Sequence, residues 1–271
     1  MKKIIFAGAV LSLAFSLFTS CNNELDLSNM TLVPSLSDEF DGEELDTDKW
    51  WVYTGSVYNN EKQKYLNDGS TVEVSDGTLK LKAYLSESKW YSGKIQASSH
   101  EKEDGSTGGM PFKYGYVEAR LKMPVDKGVW PAFWLMPDKS EYGAWPFSGE
   151  LDIMEFSPST KGTTAYATYH KATNAAGGHD YHSLGSKNIS SANTKWHTYG
   201  LYWTEKTLEA YYDGESLGTV FKKKGKSFAQ WPYDKEFYVI LNLAMGGDLG
   251  GTIDSSLTEA VYEVDYVRVY Q

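Results

Sequence analysis

Three carboxylates fall within six residues of the run Gly149-Glu150-Leu151-Asp152-Ile153-Met154-Glu155-Phe156, and the residues between them are Leu, Ile and Met. Acidic side chains set in apolar sequence need a chemical reason, because an uncompensated charge is expensive to hold near a core. On a helix, Glu150 and Glu155 would project about 140° apart and could not share a site. On a strand, with its period of two, Glu150 and Asp152 face one side while Glu155 points away. A β-bulge between Asp152 and Glu155 inserts one residue and returns Glu155 to the side of the other two, so the sequence predicts a bulged strand. Two converging glutamates suit glycoside hydrolysis, in which one attacks the anomeric carbon and the other protonates the leaving oxygen. A retaining enzyme holds those carboxyls about 5–5.5 Å apart. Like charges that close keep a proton among them at neutral pH. A strand with a solvated acidic face would show the same spacing, and spacing alone does not choose between the two.

Such a strand needs sheets around it. The chain has 271 residues with 20 Tyr, 9 Trp, 11 Phe and 25 Gly, a composition of sandwich strands and hairpins that favours one large all-β domain over two small ones. Thr71 to Val74, Asp76-Gly77 and the alternating Leu79, Leu81, Ala83 and Leu85 predict a hairpin. Val117, Ala119, Leu121 and Met123 alternate with Glu118, Arg120 and Lys122 in the same way. Ala165 to His170, Trp196 to Trp203, Leu208 to Tyr212 and Leu217 to Phe221 predict further strands, the last two joined by Asp213-Gly214. Ser98 to Pro111 is polar and Gly-rich and reads as a mobile loop. His179-Asp180-Tyr181-His182 has the look of a metal pair but lacks a third ligand nearby, and it also reads as a loop.

A net charge of −10 and a pI near 5.0 argue against nucleic acid or an anionic polymer as the main partner. A neutral polysaccharide is compatible. Met1-Lys2-Lys3 and the apolar run Ile4 to Phe18 form a secretory signal, short for a spanning helix. Its end, Leu17-Phe18-Thr19-Ser20-Cys21, resembles a bacterial lipoprotein signal whose cleavage leaves Cys21 as the lipidated first residue. Cys21 is the only cysteine, so the chain can form no internal disulfide. The expected organisation is a signal over residues 1–20, a tether over 21–35 and a catalytic domain over 36–271. The expected location is the bacterial cell envelope, lipid-anchored at the outer membrane on its cell-surface or its periplasmic face, between which the sequence does not choose.

Trp145-Pro146 followed by Gly149 to Glu155 closely resembles the active-site strand of glycoside hydrolase family 16, in the laminarinase-like form ExDxxE with a bulge. Gly128 to Pro137 is similar to that family's preceding strand, Glu263 to Tyr270 to its last strand, and Ser37 to Trp50 to its opening. The resemblance implies a jelly-roll β-sandwich with a concave, open substrate cleft that permits internal cleavage. It implies double displacement on β-1,3-glucan (laminarin) or mixed β-1,3/1,4-glucan, with Glu150 as nucleophile, Glu155 as acid and then base, and Asp152 holding their protonation and orientation. No catalytic cofactor is implied, and a monomer is expected.

Pyranose rings present C–H faces that pack on indole, so Trp130, Trp134 and Trp145 are weighed as sugar platforms against burial in a core. Trp130 and Trp134, four apart, share one face of a regular strand, and the resemblance puts that face in the cleft. Asn60, in the loop Asn59-Asn60-Glu61, and His170, beside the catalytic pair, are the other implied substrate contacts. Asn59 and Asn60 equally suit a turn, and Asn242 reads either as a substrate contact or, by preference, as satisfying backbone groups. The resemblance also implies a structural calcium away from the cleft, at the positions of Glu39, Gly77 and Asp265; Asp265 would equally make a salt bridge. The chain departs from the family at Ser92-Gly93-Lys94, where many laminarinase-like members have arginine, and lysine lacks the planar fork. Agarase or porphyranase, transglycosylase, and a non-catalytic glycan-binding surface lipoprotein are the alternatives; a binder has no need of three clustered carboxylates.

Overall fold

Period-two patterning of apolar residues organises residues 25–102, 104–225 and 227–271, which the computed structural model describes. The expected signal over residues 1–20 and Cys21 lie outside the described residues. Along Thr78–Ser86 the side chains of Leu79, Leu81 and Ala83 are buried while Lys80 and Lys82 face outward. This strand and Val72–Ser75 form the expected hairpin, turned by Asp76 and Gly77 at φ of 56° and 71°. Successive positive φ values give a turn whose twist matches that of the strands it joins. Asp213 and Gly214 turn the hairpin of Thr207–Tyr212 and Glu215–Phe221 in the same way, with φ of 47° and 80°.

These strands assemble into two stacked sheets, the β-sandwich of the jelly-roll kind. The nine-stranded sheet runs in the order Glu215–Phe221, Thr207–Tyr212, His197–Trp203, Gly115–Lys122, Glu259–Tyr270, Thr78–Ser86, Lys89–Ser92, Gln63–Tyr65, with Val72–Ser75 joined to Thr78–Ser86. The seven-stranded sheet runs Trp51–Val52, Lys94–Gln96, Phe237–Met245, Val129–Pro137, Glu150–Phe156, Thr164–Asn174, Gly177–Asn188. Between the sheets Leu81, Leu121, Phe133, Leu135, Leu151, Phe156, Leu241 and Val267 are fully buried in one continuous core. Burial of this extent holds the sandwich together, and truncating a large core residue such as Phe133 to Ala is worth about 3–5 kcal/mol.

Two stretches differ from their expected form. Ser98 to Pro111 is not an unstructured loop: His100–Glu101 pairs with Thr107–Gly108, and Met110, which follows, is buried. His179 to His182 belong to the edge strand Gly177–Asn188, paired along its length with Thr164–Asn174. A largely exposed edge strand carries no apolar alternation, which is why it passes for a loop.

Candidate active site

The strand Glu150–Phe156 carries the bulge. Asp152 pairs with Trp134 on one side and Thr168 on the other, and Glu155 pairs with Ala132 and Tyr166. From Asp152 to Glu155 the strand advances three residues while each neighbour advances two. The extra residue sends both Ile153 and Met154 into the core, where they are 2% and 0% exposed, and leaves Glu150, Asp152 and Glu155 on the outer face. Hydroxyls of the following turn fix the end of this strand. Ser157 Oγ and Thr160 Oγ1 both donate to Leu249 O at 2.6 Å, and Ser159 Oγ accepts the Gly128 amide at 2.6 Å.

Each glutamate sits under an indole N–H. Trp130 Nε1 donates to Glu155 Oε1 at 3.1 Å, and Trp145 Nε1 donates to Glu150 Oε2. Trp145 reaches Glu150 because the preceding segment folds on itself, with Ser148 Oγ donating to Gly143 O at 2.8 Å and the Gly149 amide donating to Pro146 O at 3.2 Å. Gly149 has φ +82°, and a Cβ there would lie 2.8 Å from Pro232 and Tyr233. Only glycine suits a left-handed backbone at such close approach. Asp152 is 3% exposed and accepts hydrogen bonds from Thr168 Oγ1 and from His170 Nε2, the latter at 2.9 Å.

Burial pushes the carboxyls of Glu150 and Glu155 well above the usual range, and the charge of Asp152 pushes them further, while His170 draws both down. The cluster therefore holds a proton at neutral pH that belongs to the group rather than to one residue. Burial opposes the imidazolium of His170, but Asp152, Glu150 and Glu155 outweigh it and raise His170 to about 9. A cation thus lies against three carboxyls. Glu150, Asp152 and His170 also have metal-ligand chemistry, with donor atoms within 4.8 Å of one another. Those donors are already engaged with Trp145, Thr168 and each other, which suits proton management.

The rest of the outer face is aromatic and polar. Trp130 and Trp134 share it, as their spacing predicts; Trp134 Nε1 donates to Asn242 Oδ1 at 2.7 Å, and Asn242 Nδ2 donates to Tyr65 Oη at 3.2 Å. Asn242 therefore serves side chains rather than backbone. Lys94 is nearly buried here, its Nζ 4.4 Å from the Tyr53 ring and 5.0 Å from that of Trp134. Burial lowers Lys94 to about 8 against the pull of Glu61 and Glu150. Asn60 stands in a left-handed turn, φ 59°, and its Nδ2 donates to Asp248 Oδ1 at 2.7 Å. Neither of two hollows elsewhere, of about 310 and 450 Å³, lined by Lys113, Tyr114 and Gln271 and by Glu43, Glu44 and Glu73, includes these carboxylates.

Residues 30–271 match the family described as beta-porphyranase A–D, GH16 domain. The chain belongs to glycoside hydrolase family 16. Among relatives, it is 35% identical to glucan endo-1,3-β-glucosidase A1 of Niallia circulans over 86% of this chain, spanning only 37% of that protein's length. It is 36% identical to a keratan-sulfate endo-1,4-β-galactosidase of Sphingobacterium multivorum over 61% of this chain and 39% of that one. The solved laminarinase of Rhodothermus marinus superposes with a TM-score of 0.76 at 30% identity, covering 89% of this chain and 97% of that one.

Within this family 16 fold, two features stand apart from the sequence reading. Asp265, at the bulge between Val264 and Tyr266, gives its carboxylate to Arg120 Nη1 at 2.6 Å, and the Glu39 carboxylate is held by Arg268. An ion pair thus stands where the resemblance implies calcium: Asp265 is the only side-chain carboxylate of the implied set, Glu39 and Gly77 standing for backbone carbonyls, and a guanidinium beside it makes this donor set a poor fit for a divalent cation. His179 and Tyr181, read as loop residues, line the outer face beside the carboxylate cluster, Tyr181 directly opposite His170. No motif marks them; only their spacing of two, on a strand starting at Gly177, could have placed them together on that face.

Proposed function

We propose that this family 16 domain is a retaining, endo-acting hydrolase of β-1,3-glucan (laminarin), of mixed-linkage β-1,3/1,4-glucan, or of both. The observation that carries the reading is the bulge that gathers Glu150 and Glu155 on one face, each under an indole N–H, beside the buried Asp152–His170 pair. Glu150 attacks the anomeric carbon; the bond to the leaving oxygen breaks, and that oxygen takes the proton of Glu155. Formation of the ester removes the negative charge of Glu150, so Glu155 loses a repelling neighbour, ionises more easily and becomes the base. It then takes a proton from the water that attacks the same carbon, and Glu150 is released with retention of configuration. Trp134 and Trp145 offer indole faces to sugar rings, and Asn60 and His170 offer polar contacts. The glucan assignment draws on the endo-1,3-β-glucosidase relative and on a solved family member crystallised with laminaritriose and laminaritetraose.

A second reading is a galactan, agarose or porphyran. It is favoured by the porphyranase description of the matching family and by the galactosidase relative. Reducing-end release and product sizing on laminarin, barley-type glucan, agarose and porphyran decide between them. Short oligosaccharides from a glucan support the first reading, and cleavage of galactans alone supports the second. Binding of glucan without cleavage by the native protein would establish a non-catalytic glycan-binding lipoprotein instead.

The chain is further assigned a lipid on Cys21 and a monomeric state at the bacterial outer membrane; of the expected tether over 21–35, Thr31 and Val33 are already docked, their amides donating to the Gln271 and Val269 carbonyls. Detergent partitioning of the native protein against Cys21→Ser tests the anchor. A structural calcium at Glu39, Gly77 and Asp265 requires Asp265 to turn away from Arg120, and a calcium-dependent rise in Tm that is absent in Asp265→Asn is its test.

A further inference from the structure

His170 does not end the polar chain that starts at Asp152. Its Nε2 lies 2.9 Å from Asp152 Oδ2, and its Nδ1 lies 2.8 Å from His179 Nε2. The two imidazole planes differ by 6° while their centroids are 5.0 Å apart. With an N···N contact of 2.8 Å, that leaves the rings edge to edge, the N–H of one aimed at the lone pair of the other. His179 is exposed on the edge strand, and the Trp145 ring packs against it at 4.4 Å between centroids. The chain therefore runs from a buried carboxylate to solvent through two imidazoles, alongside the indole that serves Glu150.

We propose that His179 is a positioning residue that keeps His170 in its imidazolium form by accepting its Nδ1–H, and so sets the charge balance of the three catalytic carboxyls. The role rests on the hydrolase reading only for its kinetic consequence. In the imidazolium, Nε2–H donates to Asp152 and Nδ1–H donates to His179, which is neutral and carries its own proton on Nδ1. A hydrogen bond from a charged donor is roughly twice as strong as a neutral one, so the acceptor favours the charged state. The groups facing the pair are consistent with this assignment. Asp152, Glu150 and Glu155 on the catalytic strand all favour the His170 cation. Burial and the charge of His170 lower His179, while Asp180 and Asp152 oppose that shift. Asp180 is itself bound by Lys171 and His182, and the Tyr181 ring packs beside both imidazoles. Two basic groups joined in this way titrate in two separated steps.

The test follows the histidine titrations by NMR in the full chain, which has 5 His, for the native protein, His179→Phe and His179→Gln. Phenylalanine keeps a ring against Trp145 without an acceptor; glutamine restores an acceptor oxygen. The expected result is a native His170 midpoint well above that of His179, a fall of about one pH unit for His170 in the Phe variant, and recovery in the Gln variant. Because the imidazolium favours ionised carboxyls, its loss also moves the pH profile of kcat/KM to higher pH. A His170 midpoint unchanged in His179→Phe, or a profile that falls in height without moving, would overturn the proposal. The titration needs no substrate, so it stands apart from any failure of the glucan assignment.

Discussion

Trp130 donates its indole N–H to Glu155 Oε1 at 3.1 Å, from a strand whose other face is packed into the core. The contact favours the ionised form of Glu155, as any donor to a carboxylate does. Trp130→Phe keeps the ring and removes the donor. Glu155 then holds its proton to higher pH, and the alkaline limb of kcat/KM moves upward by about one to two units, a hydrogen bond to a charged group being worth about 1.5–3 kcal/mol. A pH–rate profile in laminarin or barley-type glucan checks it.

Trp145→Phe is the mirror experiment. Glu150, the proposed nucleophile, loses the donor at Oε2, so it ionises less readily and the acid limb moves upward instead. Two indole-to-phenyl changes that displace opposite limbs would separate the two carboxyls. The same limb moving in both variants would show that the indoles act on the shared proton alone.

Stability should respond to Glu150→Gln with a definite sign. The native carboxyl has its pKa raised by burial and by Asp152, so the folded state binds more protons than the unfolded one between the ordinary value of 4.5 and the raised one. Its stabilising contribution is complete below 4.5 and is lost as pH rises toward the raised value. Glutamine has nothing to lose. The Tm advantage of Glu150→Gln should therefore grow as pH rises from 5 toward 8.5, reaching at least about 2–4 °C for a gain near 1 kcal/mol. Thermal melts at both pH values suffice, and an advantage that shrinks with pH would contradict the burial account.

Gly149→Ala should damage both stability and activity. A Cβ at φ +82° meets Pro232 and Tyr233 at 2.8 Å, and Tyr233 Oη donates to the His170 carbonyl. Loss of about 1–3 kcal/mol is expected, with kcat falling because Glu150 is the next residue. Urea unfolding and kcat on the same preparation test the two effects together.

The bulged carboxylate strand was legible because three carboxylates in apolar sequence admit few geometries, and a bulge was the one that brought Glu150 and Glu155 together. Hairpins at Asp76-Gly77 and Asp213-Gly214 were legible because left-handed turns need those residues. Asn242 was not: its partners Trp134 and Tyr65 lie 108 and 177 residues away in sequence, and local pattern carries no trace of them. His179 was hidden for a different reason. An edge strand exposed on most positions shows no apolar period, and its register, which sets His179 opposite Ala172 and so diagonally within reach of His170, follows from pairing rather than from composition. Asp265 was open to two readings, and a partner on the neighbouring strand, Arg120, took it.

The most direct test of the central claim is the anomeric configuration of the first products released from laminarin or barley-type glucan, followed by NMR for the native protein and Glu150→Gln. The double-displacement account predicts β-configured reducing ends appearing first in the native reaction and none in the variant. Products that appear first in the α-configuration, or an unimpaired Glu150→Gln enzyme, would contradict it.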